Sequence, residues 1–246
     1  MSRVAEGEHP EHEVPPPPWM VRRPERTPRT PLSREAIVDA ALQVLATEGP
    51  DGLSMRRVAT ELGTGAASLY WHVSSKDELA DLIIDRVTRE IEVPEPDPIH
   101  WQEQLTEWMV KAREVLKRHP GVGALTLGRI PIGPNTVQWI EWLVGLLRAA
   151  GVPDRIATYA GDLGGLYLGA YALEDAMGLR SPTGEDLPPE EIIGMFRGYL
   201  ESLPPDRFPN LHATMDHMFA GDEDERFRLG IELILRGIAS YIPEQK

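Results

Sequence analysis

The chain has 246 residues, no cysteine and a formal net charge of −14. That length holds one large domain or two small ones, and 41% hydrophobic residues suffice for a sizeable core. Disulfides and thiolate metal sites are excluded, no apolar run approaches the roughly 18–20 residues that span a bilayer, and the proline- and glutamate-bearing start is unlike a signal peptide, so a cytoplasmic protein is expected.

Residues 1–31 hold the run Pro15–Pro18 and further prolines at 24, 28 and 31, a composition that reads as a disordered, partly polyproline arm. His9 and His12 lie in it without a further ligand nearby, so a solvated tail is the better reading than a metal site. Arg22, Arg23, Arg26, Arg29 and Arg34 face only Glu25 and form a basic patch just ahead of the first helix. These arginines are either solubilising charge or an arm that follows phosphates or the minor groove. The surplus acidity falls mostly outside residues 22–91, which hold ten basic and eleven acidic side chains. Because charges more than about 8–10 Å apart are largely screened, an acidic body does not exclude a local nucleic-acid surface.

Ser33 caps a helix running to about Glu48, with Ile37, Ala40, Ala41, Val44 and Leu45 on one face. Ser54–Leu62 repeats the helical spacing through Met55, Val58, Ala59 and Leu62. Gly63 suits the left-handed residue that ends such a helix, and Thr64 can cap the next. Gly65–Val73 then buries Ala66, Leu69 and Val73 and turns Ala67, Ser68, Tyr70, Trp71 and His72 to another surface. Two short helices around a Gly-bearing turn make either an ordinary helical hairpin or a helix-turn-helix, whose second helix enters the DNA major groove. The hydroxyl, aromatic and imidazole groups on the second helix, and the small residues at its start, favour the latter. Ser74–Glu78 starts a fourth helix, with serine caps and acids in the first turn, that runs to about Ile91. The break Val93–Pro98 closes a first domain of residues 32–92; residues 98–246 form the second.

The second domain is helical in pattern throughout. His100–His119 turns Trp101, Leu105, Trp108, Met109, Ala112 and Leu116 inward; a Gly/Pro loop spans Gly121–Pro134; Thr136–Ala150 carries Trp139, Trp142, Leu143, Leu146 and Leu147. Asp154–Met177 contains Gly161, Gly164, Gly165 and Gly169, which suit close helix packing, either at a dimer interface or within one chain. Residues 179–210 are rich in proline and acids, with one helix at Pro189–Leu203, and Asp222–Ile242 is the last helix. The segment GDLGGLYLG is not a dinucleotide fingerprint. No G-x-S-x-G, H-E-x-x-H, Walker or EF-hand pattern is present. His212 and His217 are five apart and share no helical face. Neither a catalytic site nor a metal or cofactor is expected.

The segments SREAIVDAALQVLATEG (Ser33–Gly49), GLSMRRVATELG (Gly52–Gly63) and SLYWHVSSKDEL (Ser68–Leu79) together resemble the DNA-binding domain of the tetracycline-repressor (TetR) family. Weaker similarity continues through HWQEQL, TLGRIP, LYLGAYALED and FRLGIELILRGI to about residue 242. The resemblance implies an all-α homodimer of about nine or ten helices per chain. An N-terminal three-helix helix-turn-helix domain would bind double-stranded operator DNA, and a helical domain would bind a small-molecule effector and dimerise through its last two long helices. It implies DNA contacts at Arg56, Ala66, Ala67, Ser68, Tyr70, Trp71, His72 and Lys76, with Ala66 and Ala67 replacing a glutamine and a proline of tetracycline-binding members. It implies an effector pocket that includes Thr126, Trp108 and Glu174; Trp101, Leu105, Met109, Trp139 and Trp142, near them in pattern, either line that pocket or belong to the core. The metal and drug contacts of those members fall on Thr126, Glu92 and Trp108, a set that neither holds a divalent ion nor grips a polar edge. The expected function is a ligand-released transcriptional repressor without enzymatic activity; the alternative is an all-helical ligand carrier or enzyme on the same scaffold.

Overall fold

The computed structural model describes residues 32–130, 132–179 and 181–243; the N-terminal arm with His9, His12 and Arg22–Arg29 lies outside them. Eleven helices and no strand occur among the described residues. The residues from Ser33 onward form one compact unit.

Helix α1 (Arg34–Gly52) starts on Ser33, whose hydroxyl accepts from the Ala36 amide at 3.2 Å. Its path breaks at Gly49, where φ is +71° and only glycine is unstrained, so the straight helix ends where the sequence indicates. Helix α2 (Met55–Glu61) is capped by Ser54, and Gly63 takes φ +60° to turn the chain. Thr64 does not cap the next helix. Gly65 occupies that position without a side-chain cap, and α3 (Ala66–Leu69) is a single turn instead of the nine residues anticipated. Past Leu69 the chain stays coiled as a tight turn, with the His72 and Val73 amides both donating to the Leu69 carbonyl at 2.9 Å. The turn ends because Ser75 goes extended to cap α4 (Lys76–Thr88), accepting from the Glu78 amide at 3.0 Å. Ile37, Ala41, Val44, Leu45, Val58, Leu69, Val73, Leu79 and Ile83 close the core of this four-helix head.

Asp97 sets the start of α5 (Trp101–Arg118), accepting from the amides of Ile99 at 3.0 Å and His100 at 3.2 Å. The region expected as a Gly/Pro loop contains a short helix, α6 (Val122–Thr126), followed by α7 (Pro134–Ala149). Helix α8 (Asp154–Met177) packs against α5, α6 and α7. Helix α9 (Pro189–Glu201) and an unanticipated α10 (Pro209–Met218) pack on each other through Arg197–Asp216 and Phe196–Phe219. Helix α11 (Glu223–Ala239), capped by Asp222, lies against α5 and α8. Trp101, Leu105, Trp108, Met109, Trp142, Leu146, Leu147, Phe227, Ile231 and Leu235 belong to the core of the helical body.

Two of the α8 glycines, Gly161 and Gly169, face neighbours within the chain, whereas Gly164 and Gly165 are half-buried with open space beside them. A Cβ at Gly169 would meet Thr126 Oγ1 at 2.8 Å, and one at Gly161 would meet Leu143 at 3.4 Å, so both serve close packing within the chain. The exposed apolar residues of α8 and α11 include Tyr159, Leu163 and Leu166 of α8 and Leu229 and Leu233 of α11. Gly169→Leu is therefore expected to lower the stability of the subunit itself, by about 1–3 kcal/mol from overpacking. Urea unfolding at two protein concentrations checks this; a variant of wild-type stability that fails only to dimerise would contradict it.

Three polar clasps join the head to the body through α4. Asp85 accepts from the Asn135 amide (2.8 Å), the Asn135 side-chain amide (2.7 Å) and the Thr136 amide (3.3 Å), so a carboxylate of α4 caps α7. Arg129 pairs with Asp77 and, at 3.4 Å, with Asp81. Glu90, just past α4, meets His119 at 3.1 Å, Arg86 at 2.9 Å and Arg118 at 3.6 Å.

Candidate DNA interface and effector cavity

Leu69 and Val73 fix the recognition turn to the core, and Tyr70 and Trp71 between them point outward. Tyr70 is 53% exposed and Trp71 89% exposed, a large apolar cost for any face that only meets water. Ala67 is exposed, and Ala66, Ser68 and His72 are half-buried, so the start of α3 offers backbone where bulkier residues would stand off a groove. The two adjacent arginines of α2 divide their work. Arg57 is tied to Glu48 at 2.6 Å and Glu61 at 2.9 Å, whereas the Arg56 guanidinium has no partner among the described residues. Lys76, first residue of α4, is likewise exposed and unpaired among the described residues. Exposed aromatic surface and two unpaired cations in one helix-turn-helix segment are chemistry that meets bases and phosphates.

Sequence reasoning counted Arg34 with the basic patch. The structure ties it down: Nε donates to the His72 carbonyl at 2.8 Å and a terminal nitrogen to Glu78 Oε1 at 3.1 Å. The hydroxyl and then the amide of Ser74 hold the Glu78 carboxyl below the usual carboxylate range.

In the body, a small apolar cavity of about 50 Å³ lies between α5, α7, α8 and α11. Leu105, Trp108, Met109 and Trp139 line it, together with Leu143, Gly164 and Gly165. Trp108 stands 5.1 Å from Trp139 and 5.6 Å from Trp142, ring centre to ring centre. Trp101 and Trp142 are buried in the surrounding core and do not line the cavity. Two residues of the expected pocket lie elsewhere. Thr126 is spent within α6, its hydroxyl donating to the Gly123 carbonyl at 2.8 Å and packing on Gly169. Glu174 is exposed near the end of α8, beside Lys117 and Asp175. The indole N–H groups of Trp108 and Trp142 are buried without a hydrogen-bond partner among the described residues. Of the two only Trp108 lines the cavity, and its orphaned donor is the polar feature of an otherwise apolar site.

The fold and its exposed recognition turn define a helix-turn-helix DNA-binding regulator. Residues 37–83 match the profile of bacterial regulatory proteins of the tetR family, and residues 93–242 match that of the tetracyclin repressor-like C-terminal domain. The transcriptional repressor DrrR1 of Streptomyces coeruleorubidus is 32% identical over 227 residues, covering 92% of this chain and 84% of the relative. The class D tetracycline repressor of Escherichia coli is 29% identical, over 84% of this chain and 88% of its own. The crystal structure of ActR of Streptomyces coelicolor in complex with actinorhodin superposes with a TM-score of 0.76 at 41% identity, covering 87% of this chain and 99% of ActR. The chain belongs to the TetR family of regulators.

Proposed function

We propose that this chain is a cytoplasmic homodimeric repressor that reads an inverted-repeat operator and is released from it by a flat, largely apolar effector. The observation that carries the DNA half is the exposure of Tyr70 and Trp71 together with two cations unpaired among the described residues, Arg56 of α2 and Lys76 of α4. In this reading Arg56 and Ser68 meet base edges, Tyr70 and Trp71 lie against thymine methyls or the sugar–phosphate edge, and His72 and Lys76 meet phosphates. Ala66 and Ala67 permit close approach of the backbone. The exposed leucines and tyrosine of α8 and α11 support dimerisation through those two helices, which matches the half-site symmetry of an operator. No helix among the described residues is long and apolar enough to cross a membrane. No catalytic step is assigned.

The effector half rests on the tryptophan-lined cavity, and the ActR complex with actinorhodin supports small-molecule binding by a relative of this body. A ligand pocket usually needs roughly 300–1,000 Å³, so occupation must move the walls. Trp139, the lining tryptophan that is only partly buried, stands on α7, whose N-terminus is capped by Asp85 of α4. Displacement of α7 therefore pulls on α4, which leads straight into the recognition turn. An effector that binds the displaced state more tightly shifts the population away from the DNA-competent one. The orphaned indole N–H of Trp108 calls for a hydrogen-bond acceptor on the ligand.

Tryptophan fluorescence titrations with planar aromatic compounds, run beside release of bound operator, test this reading. Saturable quenching with parallel release is expected for a planar ligand bearing a carbonyl. Failure of every quenching compound to release DNA would contradict the coupling. Magnesium–tetracycline is expected to give neither response, because Thr126 is spent on Gly123 and Trp108 fills the site. Magnesium-dependent micromolar quenching with release would show the pocket to be misread.

A further inference from the structure

We propose that Arg34 and Glu78 are positioning residues for operator recognition, which hold the recognition turn on the start of α4 without touching DNA; this rests on the DNA-binding reading above. The recognition turn has little support of its own. Helix α3 is four residues long, its first residue has no side-chain cap, and between Leu69 and Val73 no side chain is fully buried. The orientation of Tyr70, Trp71 and His72 about that two-residue anchor is fixed by what grips the backbone. Arg34 grips it at the His72 carbonyl, at 2.8 Å.

The same guanidinium reaches Glu78 Oε1 at 3.1 Å, while Glu78 Oε2 accepts from the Ser74 amide at 2.7 Å and the Ser74 hydroxyl at 2.5 Å. One arginine and one carboxylate thus join three things: the first residue of α1, the end of the recognition turn and the first turn of α4. Movement of α4 reaches the turn through this brace. An arginine is required, because its planar fork directs two donors to two acceptors at once, whereas a lysine ammonium is a single point of charge. The Arg34 side chain is 58% exposed, and an ion pair this exposed adds little stability. Its value lies in geometry, so it should register in recognition and hardly in melting.

Charge gives a sign that separates this role from a phosphate contact. Glu78 is a negative charge in the DNA-binding head, and its neutralisation favours DNA electrostatically. A Glu78 that merely sits there makes Glu78→Gln bind more tightly; a Glu78 that positions the turn makes it bind the operator more weakly. Likewise Arg34→Lys keeps a phosphate contact but loses the brace.

The test uses the full-length chain and its Arg34→Lys, Arg34→Ala and Glu78→Gln variants. Each is titrated, at several salt concentrations, against a duplex that the wild type selects from random DNA and against an unrelated duplex. We expect Arg34→Lys and Glu78→Gln to lose about tenfold or more on the selected duplex, the discrimination carried by one base contact. For Arg34→Lys, binding to the unrelated duplex, the salt slope and the melting temperature should not change, and Glu78→Gln should bind the unrelated duplex as tightly as the wild type or more tightly. Wild-type-like operator binding by Arg34→Lys overturns the proposal. So does tighter binding by Glu78→Gln, or an Arg34→Ala loss that is equal on both duplexes with a salt slope lower by about one unit. If Glu78→Gln melts early, Arg34→Lys alone decides. A wild type that selects no sequence defeats the DNA-binding reading itself, and this inference with it.

Discussion

Replacing Arg113 by alanine lowers the unfolding free energy by about 3–5 kcal/mol, the range for breaking a buried pair by removing one partner. Arg113 is 3% exposed. It donates to both oxygens of Asp175, at 2.8 and 2.6 Å, and to Asp224 at 2.9 Å. Its guanidinium also stacks 4.9 Å from the Phe227 ring centre and 5.1 Å from that of Tyr171. The Asp175 hydrogen bonds hold the Arg113 pKa above its already high value against the opposing effect of burial, so the group stays charged. Its removal strands the Asp175 carboxylate, with Lys117 at 3.8 Å as the nearest replacement cation. It also unties α5 from α8 and from the start of α11. Asp175→Asn should cost less, since Asp224 and Glu223 still face Arg113. Urea unfolding at fixed protein concentration measures both, because dimerisation makes stability depend on concentration. A loss below about 1 kcal/mol, the range of exposed pairs, would show that the network is solvated.

The second large effect is on DNA. Tyr70→Ala and Lys76→Ala should each weaken operator binding by about tenfold or more, since a dimer makes every contact twice and one base contact carries about 1–3 kcal/mol. Lys76→Ala should also lower the salt slope, by about one unit for each phosphate that the lysine neutralises in the wild type. Both side chains are exposed, so folding should change by no more than about 0.5 kcal/mol. Anisotropy titrations across a salt series, with melting curves alongside, separate the two effects. Unchanged affinity in both variants would remove the recognition turn from the interface.

The head was largely legible because three of its four helix starts carry their own chemistry: Ser33, Ser54 and Ser75 all act as caps. The length of α3 was not, because apolar spacing continues to Val73 while the chain has already turned to reach Ser75. Helix α6 was invisible for a different reason. Its five residues lie between Gly121 and Gly128, and it holds by packing Gly123 on Ala172, a contact no local pattern encodes. In α10, Thr214 and His212 are weak helix formers, and the support comes from α9 and the turn just past it, through Asp216 on Arg197 and His212 on the Leu203 carbonyl.

The site divided along the same line. Leu105, Trp108, Met109 and Trp139 share one cavity because they recur at helical spacing on α5 and α7. Thr126 and Glu174 entered by resemblance alone, and the packing of α6 on α8 carries them elsewhere. The pairings of Arg113, Arg34 and Asp85 escaped notice because their partners lie 62, 44 and 50 residues away. A polar residue within an apolar helical stripe, as Arg113 is between Ala112 and Leu116, is the signal that was available.

Selection of bound sequences from random double-stranded DNA by the wild-type protein tests the central claim most directly. An inverted repeat should emerge, its half-site centres about 34–36 Å, or 10–10.5 base pairs, or a multiple of that apart, and it should be bound by one dimer. Recovery of no sequence, or of a single unrepeated site bound by a monomer, would contradict the account.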